Sequence, residues 1–291
     1  MGDHPMLDKR RVRESFTRAA DTYDTAAVLQ REIADRLLER LEVVRLVPRR
    51  ILDVGCGTGY DVHKLSRRYP RARLLGLDIA EPMARRARRR AGAWNRFTGR
   101  CAFACGDAER LPVVTASVDL LLSNLSLQWC DPPTVFAEAR RVLRAGGLFM
   151  FTTFGPDTLR ELREAWQTVD QSPHVHGFLD MHDLGDMLIN AGFADPVMDV
   201  ERVTMLYADV MEVLRDLKGL GAHNMAATRA RGLTGKTRFA HFRAAYEALA
   251  RDGKIPATYE VVYGHAWTPE TERARDGVAV VPVQRIGRRP A

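Results

Sequence analysis

Ile51-Leu52-Asp53-Val54-Gly55-Cys56-Gly57-Thr58-Gly59-Tyr60 is the stretch that decides the fold of this 291-residue chain. A short apolar run ends in an acidic residue, then passes into a loop with glycine at every second position, and a helix follows over 60–69. Glycine permits a sharp turn there and lets a ligand approach the backbone closely. The N-terminus of the following helix exposes unpaired N–H groups. The dinucleotide pattern G-x-G-x-x-G needs its third glycine one residue later than Gly59. Asp53, directly before the loop, would repel a pyrophosphate. It suits a ligand with positive charge, such as the amino group of a methionine-derived cofactor.

Outward from that loop, strands and helices alternate. A second strand over 73–77 ends at Asp78, where an acidic side chain meets ribose hydroxyls in doubly wound sheets. A third, over 101–104, runs into Gly106-Asp107-Ala108. The fourth, Ser117-Val118-Asp119-Leu120-Leu121-Leu122-Ser123-Asn124, has the continuous apolar character of a strand buried on both faces. A helix over 132–143, the turn Arg144-Ala145-Gly146-Gly147 and a fifth strand over 148–153 follow. This alternation predicts an α/β fold with a doubly wound, mostly parallel sheet. Asp53, Asp78, Asp107 and Asn124 then all fall at carboxyl ends of strands, where open sheets bind ligands.

Two N-terminal helices are expected within 8–45, where the run 33–41 repeats its apolar positions at three and four. Past the fifth strand come helices over 158–169 and 181–191, a strand over 197–207, and a glycine-interrupted helical block over 208–254. A last strand over 258–267 alternates like a half-buried one. The chain reads as a single domain over 1–291, with an α/β core over 49–207 and 255–268 and the block 208–254 inserted between its last two strands. The tail over 270–291 is expected to be partly mobile.

Hydrophobic residues make up 46% and charged residues 28%, an ordinary globular balance with no apolar stretch long enough to span a membrane. Residues 1–13 lack a secretory core. The cysteines Cys56, Cys101, Cys105 and Cys130 lack zinc-ligand spacing, so reduced thiols, a cytoplasmic setting and no metal are expected. The net charge of +7 draws on Arg85, Arg86, Arg88, Arg89 and Arg90, which wrap most of a helix circumference. They suit a solvated helix or a docking patch for an acidic protein. No aromatic residues interleave with them to stack bases, which argues against nucleic acid.

The glycine loop resembles the first motif of class I S-adenosylmethionine-dependent methyltransferases. Other segments narrow the resemblance: Ser15-Phe16-Thr17-Arg18-Ala19-Ala20-Asp21-Thr22-Tyr23-Asp24 with Gln30, Ser123-Asn124-Leu125-Ser126-Leu127-Gln128-Trp129-Cys130, and Phe151-Thr152-Thr153-Phe154-Gly155-Pro156-Asp157-Thr158-Leu159. With Leu217-Lys218-Gly219-Leu220-Gly221-Ala222-His223-Asn224, Gly232-Leu233-Thr234-Gly235-Lys236 and Thr258-Tyr259-Glu260, they span nearly the whole chain. Together they resemble the malonyl-acyl-carrier-protein O-methyltransferases of biotin synthesis. One departure is Ala145, where the turn before the fifth strand usually carries proline.

The resemblance implies a Rossmann-like sheet with a final antiparallel strand and a helical lid over 208–254. It implies methyl transfer from S-adenosyl-L-methionine to the free carboxylate of malonyl-acyl-carrier protein, giving an ester that primes pimeloyl synthesis. Malonyl-coenzyme A is the alternative acceptor. In this frame Asp53, Gly55 and Gly57 take the methionine moiety, Asp78 and Ile79 the ribose, and Asp107 and Ala108 the adenine. Asn124 lies near the transfer point. Tyr23 closes over the cofactor, and Lys218, His223 and Asn224 are candidates to hold the substrate carboxylate. Gln128 and Trp129 are expected along the acceptor pocket, with plain core an equal reading for Trp129. A malonyl carboxylate is already ionised near neutral pH, so no general base is needed. A small-molecule or lipid methyltransferase and a protein arginine hydroxylase acting in assembly are alternatives on the same fold.

Overall fold

In the computed structural model, which describes residues 8–170, 172, 174, 175, 177–221 and 235–270, one seven-stranded sheet carries the chain. Its strands are β1 (Arg50–Val54), β2 (Arg73–Asp78), β3 (Cys101–Cys105), β4 (Val118–Ser123), β5 (Leu143–Phe154), β6 (Ala194–Tyr207) and β7 (Ile255–Trp267), in the order β3-β2-β1-β4-β5-β7-β6. The first five run parallel, while β7 lies antiparallel between β5 and β6. The order reverses between β1 and β4. A crevice therefore opens at their carboxyl ends, flanked by the glycine loop on one side and Asn124 on the other.

Eleven helices are described: α1 (Lys9–Ala19), α2 (Tyr23–Ala26), α3 (Val28–Arg40), α4 (Tyr60–Arg68), α5 (Glu81–Arg90), α6 (Gly92–Phe97), α7 (Pro132–Val142), α8 (Arg160–Gln167), α9 (Met181–Asn190), α10 (Val210–Gly219) and α11 (Lys236–Glu247). They cover the sheet on both faces. On one, Ile33 and Leu37 of α3, Leu65 of α4, Leu162 of α8, and Phe242 and Tyr246 of α11 pack in a common apolar layer. On the other, Phe136 of α7 and Leu184 and Leu188 of α9 meet Phe149 and Phe151 of β5. The Phe149 and Phe151 rings stand 5.0 Å apart. Every residue of β4 is buried, Asp119 among its leucines included, whose carboxylate accepts from Arg49 N (2.5 Å) and Arg50 N (2.8 Å) and pairs with Arg144.

Four local features differ from the sequence reading. The last strand, expected to be half-buried over 258–267, spans Ile255–Trp267 and is buried along nearly all of it between its two neighbours. The N-terminal segment forms three helices, because the chain turns at Thr22 and Ala27 leaves the helical range (φ −77°, ψ 42°), isolating α2 as a single turn. β5 begins five residues before the expected 148, since Leu143 already pairs with Val118 ahead of a register shift. The short α6 carries no amphipathic pattern that would announce it.

The block between β6 and β7 supplies α10 and α11. Phe242 of α11 stacks on Trp166 of α8 at 4.1 Å. The end of α10 leans on the N-terminal helices, with Thr22 Oγ1 donating to Gly219 O (3.1 Å) and Ser15 Oγ to Gly221 O (3.0 Å). His223, Asn224 and the 232–234 part of the glycine motif lie outside the described residues, as does the tail from 271.

The antiparallel β5–β7 pairing sets Gly264 opposite Phe151, and a Cβ at Gly264 would stand 2.3 Å from the Phe151 ring. Gly264→Ala is expected to cost about 1–3 kcal/mol through overpacking. Thermal unfolding should therefore shift down by roughly 2–4 °C for each kcal/mol. An unchanged midpoint would contradict this register.

Candidate active site

The glycine loop leaves β1 and folds back over the end of β2. Gly55 N and Cys56 N both donate to Leu77 O, at 2.8 and 3.0 Å. Gly55 has φ +76°, and a Cβ there would lie 2.4 Å from Ser126 in the turn after β4. Only glycine satisfies both the conformation and the approach. On the far side of the crevice Leu125, with no such freedom, is held at φ +46°. Its N–H donates to Thr152 O (3.1 Å) and Thr152 Oγ1 (2.9 Å). Strain of this kind persists only where the surroundings impose it.

Between these walls runs a cleft of about 620 Å³ including its open mouth, and the expected residues gather along it. Gly55, Gly57, Asp78, Ile79, Asp107, Ala108, Asn124 and Trp129 all line it, and Tyr23 closes one side. Val12 and Phe16 of α1 roof it, Phe16 meeting Trp129 edge-on at 5.5 Å, so Trp129 both lines the cleft and packs against α1. A second cavity of about 370 Å³ adjoins, sharing Tyr23, Gly55, Gly57 and Asn124, and lined also by Gln30, Arg31, Asp61 and Arg90.

Gln128 and Lys218 line neither cavity. The Gln128 amide donates to Leu125 O (2.7 Å) and accepts from Thr153 Oγ1 (3.3 Å), bracing the strained turn. Lys218 lies in the last turn of α10. Of the arginine run, Arg85 pairs with Glu81 at 2.5 Å, Arg86 pairs with Asp21, and Arg90 turns inward to Asp24 and Thr58.

Carboxylates dominate the electrostatics. Asp53 is 1% exposed, sealed beneath the loop, and neither of its oxygens has a hydrogen-bond partner. Burial, with Asp61 and Asp78 nearby, pushes its pKa well above the usual range. Asp61, in the first turn of α4, is also buried, with Oδ1 unpartnered. Burial and the nearby Asp35 push it up, against the relief from Asn124 and Lys64. Asp78 is better served: Gly57 N donates to Oδ2 (2.9 Å) and Ala80 N to Oδ1 (2.8 Å). Its burial still raises the pKa to about 6. The Tyr23 hydroxyl is pushed up by burial and then by Asp78, Asp61 and Asp24, so it stays protonated and can only serve as a neutral donor or acceptor.

Several of these participants escaped the sequence reading. Lys9 of α1 reaches Asp107 (3.0 Å) and Glu109 (2.7 Å), so Asp107 enters the site already paired. Gln30 Oε1 is a further buried acceptor without a donor. The Asn124 amide bridges the two halves, donating to Gln30 O (3.1 Å) and accepting from Thr152 Oγ1 (2.6 Å). Among the described residues no cluster of three His, Cys, Asp or Glu side chains is placed to hold a metal, and no helix is long and apolar enough to cross a membrane.

A family model described as a methyltransferase domain matches residues 51–147. The chain is 51% identical over 279 residues to the malonyl-acyl-carrier protein O-methyltransferase of Gallionella capsiferriformans (strain ES-2), covering 95% of this chain and 96% of that one. It is 52% identical over 273 residues to the protein of the same name from Laribacter hongkongensis (strain HLHK9), covering 92% of each. Among solved structures it is similar to YcgJ of Bacillus subtilis, with a TM-score of 0.57 at 15% identity over 81% of this chain and 99% of that one. That likeness shows the fold.

The buried Asp61 carboxylate, whose Oδ1 has no partner, gives a pH-dependent stability. A raised folded-state pKa means its stabilising share is complete below the unfolded value and is lost as pH climbs through the folded one, at about 1.4 kcal/mol for each pH unit separating the two. Asp61→Asn removes that dependence. Without ligand, the variant should melt above the parent at pH 8 and converge with it only below about pH 4, the unfolded carboxyl's range. A variant less stable than the parent at pH 8 would contradict the upward shift of Asp61.

Proposed function

Because the chain belongs to the malonyl-acyl-carrier protein O-methyltransferase family, we propose that it methylates the free carboxylate of malonyl-acyl-carrier protein with S-adenosylmethionine as donor. The observation that carries the donor assignment is the set of buried acceptors without donors at one end of the site: both Asp53 oxygens, Asp61 Oδ1 and Gln30 Oε1. Arg31 lines the smaller cavity together with Asp61 and Gln30, above the sealed Asp53, and offers a guanidinium there. Acceptors for an ammonium beside a guanidinium for a carboxylate match the amino-acid end of that donor.

The assignment follows the cleft. Asp53, Gly55 and Gly57 serve the methionine end, and Asp78 with Ile79 the ribose, since Asp78 keeps a lone pair on each oxygen beyond its two backbone donors. Ala108 and the Lys9-paired Asp107 serve the adenine, against the apolar walls Val12, Phe16 and Met83.

Bound S-adenosylmethionine supplies an electrophilic methyl group on a sulfonium. The chain itself has to bind, align and keep out water. Asn124, fixed at both ends of its amide, offers a rigid contact at the crevice between β1 and β4. Protonated Tyr23 takes no proton from the acceptor, and the acceptor has none to give. Lys218, His223 and Asn224 remain the proposed holders of the malonyl carboxylate, while Gln128 supports the turn of Leu125 beside the acceptor rather than lining the cleft. Ester formation there masks the malonyl charge and so prepares the unit for extension toward a pimeloyl precursor of biotin, in the cytoplasm. We place docking of the acidic carrier protein on the exposed Arg85, Arg88 and Arg89. Malonyl-coenzyme A, which lacks the carrier surface, would be used without them.

Label transfer from S-adenosylmethionine tests the reading against malonyl-, acetyl- and unloaded carrier protein. Base-labile label on the malonyl form alone is expected. Label on none, or equally on the acetyl form, rejects carboxyl methylation. In the same assay, charge reversal at Arg85 and Arg89 should lower turnover of malonyl-carrier and spare malonyl-coenzyme A. A parallel fall in both rejects the docking surface.

A further inference from the structure

Arg90 closes α5 but does not behave like the other members of its run. Its Nη2 donates to Asp24 Oδ2 at 2.6 Å and its Nη1 to Thr58 Oγ1 at 3.0 Å. Thr58 Oγ1 in turn donates to Asp24 Oδ1 at 2.6 Å, so three side chains from α5, the glycine loop and α2 close a ring. Thr58 is 4% exposed, inside the loop.

The element on the far side of that ring needs it. α2 is four residues long, has no side-chain cap and buries none of its residues. A single turn has no stability of its own, so its placement comes from what grips it. Besides the ring, Arg31 Nη1 donates to Asp24 O at 2.6 Å. Tyr23 is the neighbour of Asp24, and its ring lies 3.7 Å from where a Gly57 Cβ would stand, directly over the loop. Beneath lie Asp61 and Asp78, whose charges, with that of Asp24, all act on the Tyr23 hydroxyl. Asp24 would be one acid too many on this side of the cleft without the Arg90 guanidinium to neutralise it.

We propose that Arg90, through its ring with Asp24 and Thr58, is a positioning residue that holds Tyr23 over the cofactor loop, and is not part of the carrier-docking face. The inference rests on reading the cleft as the cofactor site. It assigns to Arg90 an effect on the cofactor and none on the carrier.

The test uses the full-length chain and its Arg90→Met, Arg90→Lys, Asp24→Asn and Asp24→Asn/Arg90→Met variants. S-adenosylmethionine affinity is measured by calorimetry, and KM is measured separately for cofactor and for malonyl-carrier protein. Arg90→Met is expected to weaken the cofactor roughly tenfold, the scale of one charge-assisted hydrogen bond. The carrier KM should stay at its starting value. Asp24→Asn should do the same, the double variant should be no worse than either single one, and Arg90→Lys should recover part of the loss. A raised carrier KM with intact cofactor affinity makes Arg90 a docking residue and overturns the proposal. So does a lowered melting temperature with both constants unchanged, or full additivity in the double variant. Should Arg90→Met not fold, Arg90→Lys and Asp24→Asn decide by the same split. A parent chain that binds no S-adenosylmethionine at all fails the reading beneath the proposal, a result distinct from any of these.

Discussion

Burying carboxylates without donors is the constraint on which the rest of this structure depends. Asp53 is fixed by the end of β1 and Asp61 by the first turn of α4, at the two ends of the same glycine loop. Both are buried, and Asp61 and Asp78 add to the cost of ionising Asp53 while Asp35 adds to that of Asp61. A chain selected for stability alone would place apolar residues there. Keeping acids in these positions makes sense for a site that meets positive charge. Cationic side chains nonetheless stay off them: Lys9 goes to Asp107 and Glu109, Lys64 to Asp35, and Arg90 to Asp24. Each neutralises the rim and leaves the floor unpaired.

The roof of the site and the insertion are mechanically one assembly. α1 and α2 cover the cleft, and the end of α10 is bonded to the N-terminal helical segment through Ser15 and Thr22. Gly219 and Gly221 make this approach close: a Cβ at the first would stand 3.2 Å from Ala26, and one at the second 3.1 Å from Ala19. Because α10 begins three residues after β6, whose partner β7 is locked between β6 and β5, the antiparallel hairpin sets where the roof is braced. The far edge of the sheet is therefore tied to the site, although neither β6 nor β7 contributes a residue to the cleft lining.

What was legible in the sequence is what repeats locally. The 51–60 run, the acid ending β2 and the leucine-rich β4 each carry their meaning within a few residues, and the parallel sheet follows from their alternation. The strand pattern already placed Asn124 at a carboxyl end, and the family resemblance added Tyr23; both line the cleft. What was not legible depends on distance along the chain. Lys9 meets Asp107 across 98 residues and Arg90 meets Asp24 across 66. In a run of five arginines, nothing local says which one turns inward. α2 has too few residues for a period, so the break at Ala27 could only appear once α3 was seen to pack separately. Asp61 reads as an ordinary first-turn acid until its burial is known.

The proposed reaction draws on this distribution of charge in a particular way. A sulfonium and a carboxylate react to give a thioether and an ester, so charge disappears along the coordinate. Water stabilises the separated ions better than the transition state between them, and a drier site reverses that preference. The roof of Val12, Phe16 and Tyr23 over the cleft provides the exclusion. In this proposal Asp61 and Gln30, which line the smaller cavity, would meet the donor's ammonium, while Asp53 lies sealed beneath the loop, outside both linings. The acceptor must then be held by donors weak enough to leave its oxygen nucleophilic. Guanidinium groups pair strongly with carboxylates, and here Arg90 is committed to Asp24 while Arg31 donates to Asp24 O and lines the smaller cavity, where the proposal puts the donor's own carboxylate. Committing both elsewhere leaves the malonyl carboxylate free to attack.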